Sequence, residues 1–252
     1  MNKIRKPLVF TLVLLPAIIA AAFFAVLMTL PSADPSAVDE AVKKLGSREA
    51  FIAVSTVQPV FTAVLCAFFG CILSVKTGLM RPFRPEKKKL AVTLTASLIS
   101  GAVLSLDAWT FAKIIPQIAD SYKAAASFDA VTWAGSILYG GIVEELMMRL
   151  FLMSLLAFIV WKLFFKKSET VPAGVLVAAN IISALAFAAG HLPSTAALFG
   201  TLTPMIILRC FLLNGAFGAV FGRLYRKNGI QYAMLAHALC HVVSRTIWLI
   251  CL

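Results

Sequence analysis

Residues 141–161 read GIVEELMMRLFLMSLLAFIVW. The stretch is long and apolar enough to cross a bilayer, which takes about 20 such residues, yet it carries Glu144, Glu145 and Arg149. A charged group at the bilayer centre costs about 2.5–3.5 kcal/mol on insertion scales. Charges placed there despite that cost point to function. Working outward, the apolar stretch extends over about 132–161, and six others accompany it: about 7–30, 51–79, 88–108, 172–190, 203–222 and 230–251. The whole chain of 252 residues is 61% hydrophobic and 13% charged, which excludes an ordinary globular domain, a disordered chain and a small disulfide scaffold. The predicted fold class is all-α, a polytopic membrane protein of about seven transmembrane helices. The first stretch follows a basic start, MNKIRK, but its run of about 24 apolar residues exceeds the roughly 7–15 of a signal-peptide core. It reads as a retained span.

The net charge of +12 suggests a nucleic-acid partner until the positions are read. Basic residues cluster at the N-terminus (Lys3, Arg5, Lys6) and in alternate connections. These hold Lys76, Arg81, Arg84, Lys87, Lys88 and Lys89; Lys162, Lys166 and Lys167; and Arg223, Arg226 and Lys227. The opposite connections hold only Lys43, Lys44, Arg48, Lys113 and Lys123. This is the positive-inside pattern of a multi-pass protein of the cell membrane, N-terminus in and C-terminus out, with the lipid bilayer as partner and no nucleic acid. In the connection 109–131, Phe111, Ile114, Ile115 and Ile118 recur at helical spacing around Pro116 and suggest a helix on the membrane surface. The five cysteines lie scattered in apolar segments without a CxxC pair, against a disulfide framework or a cysteine zinc site.

The remaining polar residues within spans define the candidate site. Glu145 and Arg149 are four residues apart on one helix face and can pair. Glu144 points about 100° away and lacks that partner, which suits a general base. The bland alternative is that both carboxylates only lock helices together, but one Arg cannot neutralise two Glu. All three histidines lie within or at the end of later spans. His191, in FAAGHLP, closes the fifth; alone it would more often be structural. Phe187, one turn before it, reads as packing. His237 and His241, in HALCH, share a helix face. That spacing suits two zinc ligands or two donors aimed at one oxyanion, and spacing does not choose between them. Gly215, Gly218 and Gly222 read as close helix packing. Arg209 and Asn214 either line a cavity or pair with Glu144.

Three of these motifs together resemble a known family. EELMMR is similar to its EExxxR, FAAGH to its FxxxH, and GAFGAVFGRLYRKNGIQYAMLAHALCH to its last block. This is the CAAX prenyl protease and bacteriocin-processing (CPBP, Abi) family. The resemblance covers about residues 130–245. It implies an intramembrane endopeptidase core at 131–252 preceded by three spans at 1–130. It also implies that Glu144 and His191 activate a water while His237 and position 241 stabilise the oxyanion, with Glu145 and Arg149 in support. His241 stands where the family pattern usually has Asn. No cofactor is required on this reading. A zinc ion held by His191, His237, His241 and Glu144 is the metal alternative. The implied partner is a peptide or membrane-protein substrate, CAAX-like or a leader peptide. Two other classes compete: a proton-coupled carrier using the same ionisable groups, and a catalytically silent membrane-interaction or resistance protein.

One expectation sits uneasily with straight spans. At 1.5 Å per residue, Glu144 lies about 27 Å from Lys162 at the inner end of its span, whereas His237 lies only about 12 Å from Gly229.

Overall fold

The structure is a computed structural model that describes residues 4–252, apart from the side chains of Gln117, Asp120, Ala124 and Ala125. Lys3 of the basic N-terminus lies outside the described residues. There is no strand among the described residues, and seven helical runs are long and apolar enough to cross a membrane. Span one is α1 (Arg5–Thr29) with one further turn to Ser32, and α2 (Pro35–Leu45) leads to span two, α3 (Arg48–Lys76). Span three is α4 (Lys87–Ser105) with its extension to Ile114, which ends in α5 (Phe111–Ile114); α6 (Pro116–Ala125) follows. Span four runs over Ala130–Phe164 as α7 (Ala130–Gly135), two π-helical segments (Ser136–Glu144 and Leu146–Met153) and α8 (Ser154–Phe164). Span five is α9 (Ala173–Gly190) and α10 (Leu192–Phe199). Span six is α11 (Pro204–Cys210), a π turn (Phe211–Gly215) and α12 (Ala216–Asn228), and span seven is α13 (Ile230–Cys251).

Side chains on the outer faces are apolar, such as Val13, Phe61, Ile99 and Ile182, each at least half exposed; lipid is their solvent. Buried hydroxyls bond carbonyls of their own helices, as Thr11 does to Pro7 (2.9 Å) and Ser97 to Thr93 (2.7 Å), so these hydroxyls do not meet hydrocarbon unpaired. Small residues bring the spans together. A Cβ on Gly70 would lie 2.9 Å from the backbone of Leu150, and one on Gly222 would lie 1.8 Å from Asn180 Oδ1. The core holds Leu146, Leu150 and Met153 of span four against Phe221 and Tyr225 of α12 and Ala233 and Ala236 of α13.

Span four overhangs its neighbours, and this resolves the mismatch in level. Ser154 Oγ and Tyr225 OH are 2.8 Å apart, so α8 continues ten residues past the point where α12 has three left. The connection after α8 folds back, with Trp161 Nε1 donating to Ser168 O at 3.0 Å. The α12–α13 turn sits inside the bundle end, at Gly229 with φ +119°, a conformation that glycine adopts without penalty. The basic connection 77–86 covers it: Tyr232 OH donates to Arg84 O and accepts from the Glu86 N–H, both at 2.9 Å.

At the opposite end, the connection 109–131, whose spacing suggested a helix on the membrane surface, packs its apolar residues against the bundle. Pro116 starts a new helix, and Ile115 and Ile118 turn inward to form a second small core with Phe199, Ile206 and Trp248. Only Ile114 of that apolar set points fully outward, at 65% exposure. Asp129 caps α7 by accepting from the Thr132 N–H at 2.8 Å, and the Thr132 hydroxyl first, with that bond second, holds its carboxyl below the usual range.

Candidate active site

The two π-helical segments flank Glu145, so Glu144 and Glu145 sit where one widened stretch hands over to the next. Such i→i+5 stretches are rare and concentrate at functional sites. Glu144 is partly open, its side chain 19% exposed, whereas that of Glu145 is 0% exposed. The neighbours of Glu144 are imidazoles rather than a guanidinium. Its Oε1 lies 3.7 Å from His191 Nε2 and its Oε2 lies 3.7 Å from His237 Nε2.

Each of these imidazoles is fixed from behind. His191 ends α9, and its Nδ1 lies 2.8 Å from Phe187 O. A carbonyl only accepts, so Nδ1 carries a proton and Nε2 is the ring nitrogen turned toward Glu144. His237, on α13, has its Nδ1 2.8 Å from Glu145 Oε1, which turns its Nε2 the same way. Glu145 also forms an ion pair with Arg149 at 3.1 Å. Arg149, 1% exposed, donates to Gly218 O on α12 at 3.2 Å and lies over the Phe187 ring at 4.6 Å. The Phe187 ring therefore does more than fill space. It is edge-on to His191 at 4.5 Å and to His237 at 6.0 Å, while Phe221 stacks on His237 at 4.7 Å.

His241 joins the group through His237, with rings stacked at 5.1 Å. A Cβ on Gly140 would lie 2.9 Å from His241 Nε2 and 3.1 Å from His237 Nε2. The absence of a side chain at Gly140 thus leaves a small gap faced by both nitrogens. The ring of His241 makes no hydrogen bond among the described residues. All six residues singled out in the sequence therefore converge, five by direct contact and His241 by stacking. A zinc ion would need three or four donors about 2.0–2.2 Å from one point. No group of three or more His, Cys, Asp or Glu among the described residues is placed to hold a metal ion. His237 nevertheless keeps Nε2 uncommitted, because it is Nδ1 that faces Glu145, the orientation in which an imidazole ligates a metal.

A cavity of about 920 Å³ opens at the bundle end that carries α6 and α10, and His191 forms part of its wall together with Trp133, Arg209, Asn214 and Arg245. Arg209 is not the partner of Glu144. It binds Asp107 through Nε, at 3.0 and 2.8 Å to the two carboxylate oxygens, and through Nη2. Tyr122 OH also donates to Asp107; burial first, and the Asp107 charge second, push the Tyr122 phenol above its ordinary range. Asn214 bonds Cys210 O of its own helix at 3.1 Å. Asp107 was the missed member. Its place at a span end resembled an ordinary connection residue, and the signal was Arg209 in an apolar stretch, since a buried cation needs an anion.

Residues 126–243 match the family model described as type II CAAX prenyl endopeptidase Rce1-like. Over these residues, a little under half of the chain, the protein is similar to the CAAX prenyl protease family. The matched segment contains Glu144, Glu145, Arg149, His191, His237 and His241, and leaves the first three spans and Arg245 outside. Comparison with curated proteins and with solved structures gives no match. This similarity, with seven helical runs long and apolar enough to cross a membrane, supports a multi-pass membrane protein related to a protease family.

Proposed function

We propose that the chain is an intramembrane endopeptidase in which Glu144 and His191 activate a water. The observation that carries this reading is the Glu144 carboxylate held between two Nε2 atoms, each ring oriented by its own Nδ1 partner. An oxygen about 2.8 Å from both Glu144 Oε1 and His191 Nε2 fits beside a 3.7 Å separation. Glu144 takes a proton from that water as it attacks the scissile carbonyl, and returns it to the departing amine. The oxyanion forms at the gap beside Gly140, where Nε2 of His237 and of His241 supply N–H donors when protonated; each such donor is worth about 2.7–4 kcal/mol. His237 Nδ1 faces Glu145, so its Nε2 carries an N–H only when both ring nitrogens hold a proton. Glu145 and Arg149 are positioning residues. The domain division at about residue 130 separates this core from three supporting spans.

The substrate on this reading is a CAAX-like tail or a leader peptide, or another membrane-protein segment. The cavity opens at the end opposite the basic connections. With those connections inside the cell membrane, it faces out. The test compares peptide termini in membranes from cells carrying wild type or Glu144→Gln at matched protein levels. New termini that vanish with the variant support the reading and name the substrate. Identical termini across several growth conditions refute it.

A further inference from the structure

Arg245 lies four residues beyond His241 and eight beyond His237 on α13, so the three form one continuous stripe along the helix. Its side chain reaches the wall of the cavity that His191 also lines. One amino group donates to Ser136 Oγ at 2.5 Å, while the Nε is buried and makes no hydrogen bond. No carboxylate among the described residues lies within ion-pair distance of it. The contrast within the same cavity is sharp: Arg209 has its Nε–Nη2 edge bound by the Asp107 carboxylate. Asp129 also lines the cavity, but its carboxylate accepts from Thr132. Asp129 acts on Arg245 only across the cavity and not as a direct ion pair; a guanidinium drawn out of water with no carboxylate in contact is costly, and here it opens onto space that a ligand can enter.

We propose that Arg245 is a specificity-determining residue that binds a carboxylate of the substrate peptide. The proposal rests on the protease reading for the direction of the peptide. Along α13, Arg245 lies about 6 Å from His241 and about 12 Å from His237. An extended chain advances about 3.3 Å per residue, so the carboxylate falls about two to four residues from the scissile bond. A C-terminal carboxylate and an Asp or Glu side chain share this chemistry. Planar guanidinium suits either, because it binds carboxylate in a two-point fork.

The test uses the full chain in lipid nanodiscs and two series of quenched-fluorescent apolar nonapeptides. In one series the pairs differ only in a C-terminal carboxylate or carboxamide. In the other, a single Glu or Gln is moved along an amidated peptide. Cleavage is measured with wild type and Arg245→Gln, and binding of the same pairs with Glu144→Gln, alone and combined with Arg245→Gln. The expected result is an acid-over-amide or Glu-over-Gln preference of about ten- to hundred-fold. It should collapse toward one with Arg245→Gln and survive in part with Arg245→Lys. The responding series identifies which carboxylate is read. A purely structural role for Arg245 lowers both members of a pair and leaves their ratio intact, which overturns the proposal. A wild-type ratio near one overturns it without any variant. Arg245-dependent preference in binding without cleavage by wild type keeps the subsite and rejects the protease reading. Cleavage without preference does the reverse.

Discussion

Replacing Gly140 with Ala probes the reaction centre with a single methyl group. The added Cβ would sit 2.9 Å from His241 Nε2 and 3.1 Å from His237 Nε2, inside the roughly 3.5 Å of an ordinary contact. Either the rings retreat by about half an ångström or the methyl occupies the space assigned to the oxyanion. Both outcomes remove donors aimed at the developing charge. Loss of one such donor costs about 2.7–4 kcal/mol, or about 10²–10³ in kcat. Gly141→Ala is the matched control. Its Cβ would meet Ala238 Cβ at 2.8 Å and Met234 O at 3.2 Å, which crowds the same helix pair without reaching an imidazole. Overpacking of this kind costs about 1–3 kcal/mol of stability. The assay is kcat on a substrate identified from the terminus comparison, alongside thermal unfolding of each variant in detergent. Gly140→Ala should lose at least about a hundredfold in kcat and unfold no earlier than Gly141→Ala. If Gly140→Ala retains activity within a few-fold of wild type, the two Nε2 atoms do not face the reacting oxygen and the oxyanion assignment is wrong.

Two further outcomes follow from buried charge and from topology. Arg149→Met leaves Glu145 fully buried with only His237 beside it, so unfolding should come earlier by about 3–5 kcal/mol; a shift under 1 kcal/mol would show that the ion pair is not a structural anchor. Cys251 is the one exposed cysteine among five, and it lies at the cavity end of α13. A membrane-impermeant maleimide should therefore label intact cells expressing wild type but not Cys251→Ser, and labelling only after lysis would reverse the proposed orientation.

Much of this molecule was legible in its residues, for a physical reason. Ionisable groups are so disfavoured in lipid that Glu144, Glu145, Arg149, His237 and His241 stand out of apolar runs without any alignment. The intrahelical partner of Glu145 could be read from a spacing of four. What escaped were consequences of contacts distant in sequence. Asp107 and Arg209 are 102 positions apart, and nothing local to Asp107 announces a buried guanidinium. The π-helical segments of span four also escaped, because no residue pattern in SILYGGIVE marks them. The depth of the α12–α13 turn depends on the connection 77–86 folding beneath Gly229. Without that knowledge, straight spans with level ends place Glu144 and His237 too far apart. The inward turn of Ile115 and Ile118 was hidden similarly, because an apolar face fits a bilayer surface as well as a protein.

The pairing of Glu145 with Arg149 on a single helix also bears on how the chain is made. Span four is synthesised long before α13, so it must leave the insertion machinery while His237 does not yet exist. An anion and a cation one turn apart let the segment carry its own neutralising charge into lipid, and the bond to His237 is added only when the last span arrives. Glu144 has no such companion within its helix. During biogenesis it is the group that waits, and the bundle closes around it last.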